Sequence, residues 1–570
     1  MKKRFPLWVY EDLDYPEVAV STILRLPSRR WPDKVATIYE GSTVTYGEYE
    51  EASNRLATAL ADMGVKKDDR VALMLPNCPQ FIIAYFGILK TGAIYVPISP
   101  MLTERELEYQ LSYSGAETII TSDVITPLIE KVRQKTKLKR IIITSEADYS
   151  PPILLALKAG EKKAFPNTHD FVSLLRKYPP TPPDVKINPR EDLAHLQSTG
   201  GTTGTPKLAM ITHYNVMASM GQIVNVHSNN KLTLENGELS IPTEGKKPKR
   251  FDEREYPVYV GSNPTMLTIT PFFHTYGIYT LDFYVVMGFT QVLLPRFSAG
   301  SLLRETERWG IESLVGAPLL FIAMMNDPYF KECDLSTVNL ISCGSAPITP
   351  DILEVWEKAI PDVIVSESYG LTESTFGTHA NPRHRSGLRK IGSVGIPFNN
   401  MDCKIVDVET GEKEMPIGKE GEVCIKGPTV MKGYWKNPEE TKMVLREGWL
   451  YTGDIGKFDK DGYLYIVDRK KDMLIYKGYN IYPVELEDIL FTHPAVADCA
   501  VIGKPMPGVG EIPMAFIVLK SEAKATAEEI MDFANERLAG YKKIREVEFR
   551  ESLPKSDVFK TLKRELRKQE

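Results

Sequence analysis

The sequence predicts an α/β protein: a large N-terminal domain of helix-covered parallel sheets with a small sheet or barrel-like subdomain, then a small α+β C-terminal domain. Three observations predict it. Short apolar, β-branched runs alternate with helical patterns up to Ile143 and again from Ser301 to Glu373. A turn-punctuated, sheet-rich stretch follows from Met401 to Gly427. From Pro483 onward the pattern becomes mixed helix and strand, long enough for a core of its own. A chain of 570 residues has room for roughly three to five folding units.

Taken in order, Val71-Ala72-Leu73-Met74-Leu75 is a short buried strand stopped by Pro76-Asn77. Gln80 to Leu89 reads as a helix, Gly92 breaks it, and Ile94-Tyr95-Val96-Pro97 reads as the next strand. Thr103-Glu104-Arg105-Glu106 is a capping box, Leu107 and Leu111 fall one turn apart on a core face, and Gly115 ends the helix. Thr118-Ile119-Ile120-Thr121 and Ile141-Ile142-Ile143 are further strands. Residues 145–190 read as an irregular surface connection, extended at Tyr178-Pro179-Pro180-Thr181-Pro182-Pro183. From Thr212-His213 to Met266-Leu267-Thr268-Ile269 the chain reads as a long polar stretch, with turn signals at Ser228-Asn229-Asn230 and Glu235-Asn236-Gly237. Strands at Leu314 to Gly316 and Leu340 to Cys343 end in small residues, so their tips are candidate pocket walls. Pro483 opens a helix with Leu486, Ile489 and Leu490 on one face, Ala500-Val501-Ile502 and Ala515 to Val518 are strands, and Thr526-Ala527-Glu528-Glu529 caps a last helix.

Composition narrows the function classes. With 70 Lys and Arg against 75 Asp and Glu, the net charge is −5, and nothing marks a nucleic-acid binder. The six cysteines form no CxxC pair, which fits reduced thiols in a cytoplasmic protein and gives no metal framework. The basic start Met1-Lys2-Lys3-Arg4 runs into Glu11, Asp12 and Asp14 without an apolar core, so a secretory signal is not expected. No run approaches the ~18 apolar residues of a transmembrane helix. Lys246-Lys247-Pro248-Lys249-Arg250 suits peripheral contact with an anionic membrane, but Glu244, Asp252, Glu253 and Glu255 dilute its charge and favour a solvated loop.

The stretch most suggestive of chemistry is Ser198-Thr199-Gly200-Gly201-Thr202-Thr203-Gly204-Thr205-Pro206-Lys207. Such a run can bring backbone N–H groups and hydroxyls close to an anion, with a lysine at a fixed distance. An apolar-leaning run, Leu193 to Leu196, leads into it as a strand. It is not a Walker A motif, because the lysine lies between Pro206 and Leu208 rather than before Ser or Thr. Alone, it reads equally well as a flexible surface loop.

It does not stand alone. Pro271-Phe272-Phe273-His274-Thr275-Tyr276-Gly277, Tyr369-Gly370-Leu371-Thr372-Glu373-Ser374, Lys432-Gly433-Tyr434-Trp435, Gly448 to Asp454, Asp468-Arg469-Lys470-Lys471, Lys477-Gly478-Tyr479-Asn480 and Pro554 to Lys560 follow in order. This set resembles the adenylate-forming superfamily of acyl-CoA synthetases, luciferases and peptide-synthetase adenylation domains, from about Trp31 to Leu566. Leu75 to Gln80, Leu102 to Tyr109 and the doubled glycine of the loop are most similar to its fatty-acid–CoA ligase branch.

The resemblance implies an ATP-dependent ligase for a medium- or long-chain fatty acid, forming acyl-adenylate and pyrophosphate and then passing the acyl group to coenzyme A. It implies that Thr199, Gly200, Gly201, Thr202, Thr203 and Gly204 cradle the outer phosphates, with Lys207 adding charge, and that Thr372 donates to the α-phosphate. It places adenine between Ser345-Ala346-Pro347 and Tyr369, beside Ser368 and Gly370, and ribose on Asp454 with Arg469 nearby. Glu373 would hold Mg²⁺ and Lys560 would bridge the α-phosphate and the attacking carboxylate. His274, Tyr276, Gly277, Thr280, Ala317 and Cys343 would shape the acyl pocket, with His274 positioning rather than moving protons. Lys471 would be the hinge of a mobile C-terminal domain, 471–570 after 1–470, whose rotation exchanges Lys560 for Lys477 and Gly478 at the coenzyme A channel.

Leu208 departs from the glycine usual after the loop's Pro-Lys, and Phe559 from the glycine before the terminal lysine. Ile475 stands where some aryl-CoA ligases carry a lysine, which argues against the aryl branch. A ligase for a short, hydroxy or aryl acid remains the alternative, and a non-catalytic or adenylation-only relative the alternative of another class.

Overall fold

The computed structural model describes residues 12–149, 165–199, 206–242, 255–256, 264–294, 298–344, 348, 350–477, 479–506, 509–556 and 561–568. They form two compact units. The first takes the described residues up to Asp402 and adds back Lys426–Met443; the second takes Cys403–Ile425 and Val444–Glu570. Lys471 lies inside the second unit.

Two large sheets build the first unit. One has eight strands, in the spatial order Gly433–Tyr434, Leu208–Thr212, Leu193–Ser198, Ile94–Pro97, Arg70–Met74, Thr118–Ser122, Arg140–Thr144, His169–Asp170. From Leu193–Ser198 through to His169–Asp170 its pairings are parallel, while Leu208–Thr212 and Gly433–Tyr434 join antiparallel, and the parallel strands are largely the β-branched runs the sequence offers. Thr118–Ser122 is buried at every residue, as a parallel strand covered on both faces must be. The other sheet has nine strands and is parallel from Ile364–Gly370 through Leu340–Cys343, Ser313–Gly316, Thr265–Thr268 and Thr290–Leu293 to Val35–Tyr39. Antiparallel strands close both of its edges.

Local signals act as their chemistry requires. Glu106 Oε2 receives both the Thr103 backbone N–H, at 2.9 Å, and its hydroxyl, at 2.7 Å. Gly115 ends that helix at φ 74°, a left-handed conformation that costs glycine little. Leu107 and Leu111 are fully buried.

Two expectations are corrected. Residues 145–190 are not wholly irregular: Phe171–Lys177 is a helix, capped by Asp170, whose carboxylate accepts from Ser173 N at 2.8 Å. The polar reading after Thr212 is also wrong at its start, where His213–Ser228 is a helix capped by Thr212 and Asn215. Nearly all its residues are buried, so it has no polar face and no amphipathic stripe to betray it. Glu235-Asn236-Gly237 does turn, between the paired strands Thr233–Glu235 and Glu238–Ser240. The basic cluster at 246–250 lies outside the described residues.

The second unit contains an antiparallel sheet ordered Asp402–Val406, Gly421–Lys426, Trp449–Phe458, Leu445–Arg446, with Leu464–Arg469 paired to Trp449–Phe458. Further along, Val496–Met506 and Gly510–Leu519 form a long hairpin, and Glu546–Phe549 joins it in parallel. Helices Pro483–Phe491 and Ala527–Asn535 set Leu486, Leu490, Ile530 and Ala534 into one core with Val501, Ala515 and Ile517. The Thr526 capping box is formed in both directions.

Trp356 anchors the core beside the nine-stranded sheet, fully buried and edge-on to Phe321 and Phe330 at 5.7 and 5.0 Å. Trp356→Ala is expected to destabilise the first unit by about 3–5 kcal/mol. A lowered urea midpoint, followed by circular dichroism, checks this; an unchanged midpoint contradicts the anchoring role.

Candidate active site

The polar groups of the first unit gather where parallel strands end. Ser368 lies near the end of Ile364–Gly370, and its hydroxyl donates to Cys343 O at 3.3 Å on the neighbouring strand. A side chain on Gly344 would sit 3.4 Å from the Tyr276 hydroxyl and 3.5 Å from Ser368 Oγ. Those are ordinary contacts, whereas Gly370 admits no side chain, because a Cβ there would lie 2.0 Å from Phe376 O. The next residues make a short 3₁₀ turn, Thr372–Ser374. There Thr372 Oγ1 stands 3.0 Å from Thr275 Oγ1, at the start of helix Thr275–Val286. Tyr369 meets the His379 ring at 6.0 Å.

The strands that flank the glycine-rich stretch are paired. Leu193–Ser198 and Leu208–Thr212 pair antiparallel, Ser198 opposite Leu208, and Thr199 N–H donates to Lys207 O at 2.8 Å. Gly200, Gly201, Thr202, Thr203 and Gly204 lie outside the described residues, as do Ser345-Ala346-Pro347, Gly478 and Lys560. Leu208 is a buried core residue whose carbonyl accepts from Trp435 N at 2.8 Å.

Lys432-Gly433-Tyr434-Trp435 belongs to the motif set but carries no role from sequence alone. Gly433–Tyr434 adds to the edge of the hairpin, opposite Met210 and Ala209. From there the Tyr434 phenol donates to Glu373 Oε1 at 2.8 Å, and Met431 N–H donates to Glu373 O at 2.8 Å. Burial and the Glu373 carboxylate push the phenol's pKa up, keeping it a neutral donor. Lys207 pairs with Glu440, on helix Pro438–Val444, and its Nζ lies 5.0 Å from the Tyr434 ring centroid. Lys207, Tyr434, Glu373 and Thr372 thus form one chain of neighbours. Tyr434 and Glu440 carried no local signal, since their roles arise from residues far away in sequence.

Next to this array lies a cavity of about 30 Å³, walled by Tyr276, Thr280, Phe283, Ser342, Phe376 and Arg383 among others. Tyr276 and Thr280 were expected there, and Thr280 Oγ1 donates to Tyr276 O at 2.7 Å. The other expected pocket residues, His274, Gly277, Ala317 and Cys343, are not among those that line it. His274 caps helix Thr275–Val286, its Nδ1 accepting from Tyr276 N at 3.2 Å. Gly277 is pressed against the chain, and a Cβ there would lie 1.9 Å from Pro271 O. Ala317 precedes helix Pro318–Asn326, and Cys343 packs into the hydrophobic core with Leu314 and Ile341 rather than into the wall. Arg383 and His227 were not singled out from sequence; Asn381-Pro382-Arg383-His384-Arg385 looks like a solvated charge run.

In the second unit, Asp454 is buried opposite Arg469, and Arg469 Nε lies 3.2 Å from its Oδ1. Lys470 binds Glu422 at 2.9 Å, and Lys471 is exposed. Lys477 adopts φ 51° and donates its N–H to Val509 O at 2.7 Å.

Polar groups gathered at the carboxyl ends of a parallel sheet are the layout of an α/β ligand-binding protein. Residues 25–435 match the AMP-binding enzyme family, and residues 485–560 match the AMP-binding enzyme C-terminal domain. The chain belongs to the AMP-binding enzyme family. It is 38% identical to a long-chain-fatty-acid–CoA ligase of Bacillus subtilis (strain 168), over 99% of this chain and 97% of that one. Among solved structures it resembles ATP-bound MatB from Rhodopseudomonas palustris, with TM-score 0.81, 26% identity, and 97% and 99% of the two chains covered. It also resembles the anthranilate CoA ligase AuaEII in complex with anthranoyl-AMP, with TM-score 0.81, 28% identity and 97% of each chain covered.

Tyr434→Phe removes one donor from Glu373 and nothing from the core. A hydrogen bond to a charged group contributes about 1.5–3 kcal/mol. The variant is expected to keep its circular dichroism spectrum and bind ATP roughly tenfold more weakly by calorimetry. Unchanged affinity contradicts the role assigned to this bond.

Proposed function

We propose that the protein is an ATP-dependent fatty-acid–CoA ligase acting on a medium- or long-chain fatty acid. The observation that carries this reading is the Lys207–Tyr434–Glu373–Thr372 array at the strand ends, beside a cavity walled by aromatic rings. The relatives named above supply the acid and the thiol.

In the first step the carboxylate attacks the α-phosphorus of ATP, a P–O bond forms, and pyrophosphate leaves. An anion attacking a polyanion needs positive charge and aimed donors, usually the largest catalytic contribution. Lys207 and the loop from Thr199 take the departing phosphates; Thr372 donates to the α-phosphate, and Lys560 bridges it to the carboxylate. Ser345-Ala346-Pro347 and Tyr369 flank adenine, and Asp454 accepts from ribose with Arg469 beside it. In the second step the coenzyme A thiolate attacks the acyl carbon, a C–S bond forms, and AMP leaves. Backbone rotation at Lys471 makes that exchange, bringing Lys477 and Gly478 into use.

Glu373 fits a Mg²⁺ that arrives on the phosphates. Tyr434 occupies one of its carboxylate oxygens, leaving the other as a hard donor. Among the described residues no group of three His, Cys, Asp or Glu converges to hold a metal, which suits an ion bound mainly by its substrate. Bound there, Mg²⁺ supplies charge neutralisation on the phosphates. No helix among the described residues is long and apolar enough to cross a membrane. We place the protein in the cytoplasm, in peripheral contact with a membrane at most.

Two variants test the division of labour. Lys207→Ala is expected to slow pyrophosphate release at least tenfold while sparing thioester formation from pre-made acyl-adenylate. Lys471→Pro is expected to do the reverse. Equal losses in both half-reactions, for either variant, contradict the role assigned to that lysine.

A further inference from the structure

Arg383 is a buried cation at the wall of the aromatic cavity, only 6% exposed. A guanidinium carries five N–H donors and no acceptor. Three are used: Nε to Ser366 Oγ at 3.3 Å, Nη2 to Ser342 Oγ at 2.8 Å, and Nη1 to His227 Nε2. The His227 tautomer fits, because its Nδ1 lies 2.9 Å from Ile223 O and donates there, leaving Nε2 as an acceptor. Burial and the arginine hold His227 far below its ordinary pKa, so it stays neutral. Burial pushes Arg383 down only to about 10, so it stays charged near neutral pH.

The cation's partners are thus an imidazole and two serines, and no carboxylate among the described residues pairs with it. Taking a charge out of water without a counter-charge costs several kcal/mol. The side chain is locked by three acceptors on three elements: helix His213–Ser228, strand Leu340–Cys343 and strand Ile364–Gly370. Ser342 and Ser366 face each other in register. Ser366 lies two residues upstream of Ser368, about 7 Å back along the strand. A fixed fork with two N–H groups unused among the described residues, at that depth, matches the two oxygens of a carboxylate.

We propose that Arg383 makes this cavity an anion subsite, and that the acyl substrate carries a second carboxylate at its far end. This rests on the ligase reading and narrows it from fatty acids at large to α,ω-dicarboxylic acids. Tyr276, shared by the cavity wall and the strand-end site, marks where the chain passes from one to the other. Its ring and that of Phe376 stand 5.7 Å apart, and the methylenes of the acid would pass between them.

The test uses the full-length protein and paired acids of equal carbon number, from succinate with butyrate to dodecanedioate with laurate. Pyrophosphate release gives kcat/KM for each. The wild type is expected to favour the diacid at least tenfold at its best length. Arg383→Leu should abolish that preference and raise activity on the monoacid, while Arg383→Lys keeps part of it. Should Arg383→Leu fail to fold, Ser342→Ala is expected to lower the preference by loosening the fork without removing the charge. A wild type that favours monoacids at every length, or a ratio that Arg383→Leu leaves unchanged, overturns the proposal. If no acid releases pyrophosphate, the ligase reading fails, and calorimetry with suberate decides the subsite separately. Binding heat lost in Arg383→Leu upholds it; heat equal in both proteins, or absent from both, overturns it.

Discussion

The return of residues 431–435 to the first unit is the constraint on which its site depends. Two large sheets each end in polar residues, but a site exists only if those ends are held against each other. This segment does so with main-chain bonds. Lys432 N–H and Trp435 N–H go to the hairpin strand of the eight-stranded sheet, and Met431 N–H goes to Glu373, just past a strand of the nine-stranded one. Tyr434 adds its phenol to the same glutamate. Backbone hydrogen bonds fix both translation and register, which isolated side-chain contacts do not. The hairpin explains why a leucine can follow Lys207: position 208 is a strand residue facing a core, where an apolar side chain stabilises.

The same segment orders the charges. Lys207, Glu440, Tyr434 and Glu373 place a cation, a carboxylate, a neutral donor and a second carboxylate in sequence. Lys207 is therefore directed by a partner rather than left to wave in solvent, which lowers the entropy lost when it meets an anion. Its aromatic neighbour gives it a second contact that the carboxylate alone does not supply.

The strands and the C-terminal core were legible because burial leaves a local trace. Ile119-Ile120, Ile141-Ile142-Ile143 and Val501-Ile502 have nothing to do but sit in sheets, and capping boxes at Thr103 and Thr526 mark helix starts within four residues. Helix His213–Ser228 failed the same reading because it is covered on every side, and Asn215, Gln222, Asn225 and His227 inside it imitate a polar loop. Asn215 and Gln222 reach backbone carbonyls elsewhere in the first unit, and His227 reaches Arg383. Their polarity served long-range contacts, which a linear pattern cannot show. Helix Phe171–Lys177 was masked by the proline run just after it. The site was legible through motifs that resemble a family, whereas Tyr434, Glu440 and Arg383 become functional candidates only once distant strands meet.

The interior itself shows why Arg383 differs from its neighbours. This unit buries many ionisable groups, and most escape the cost of burial by becoming neutral. Asp282, raised well above its ordinary range, shares a network with Tyr85, His195 and Tyr279. His195 and His379 fall to about 3, and Glu367, raised to about 7, accepts from Ile348 N and Gly392 N. Made neutral in this way, such groups need no counter-charge. A guanidinium has no neutral form within reach of physiological pH, so burial cannot discharge it. Among the described residues its neighbours solvate it without balancing it, and on the proposed reading the balancing charge is the far carboxylate of the acid that enters the cavity.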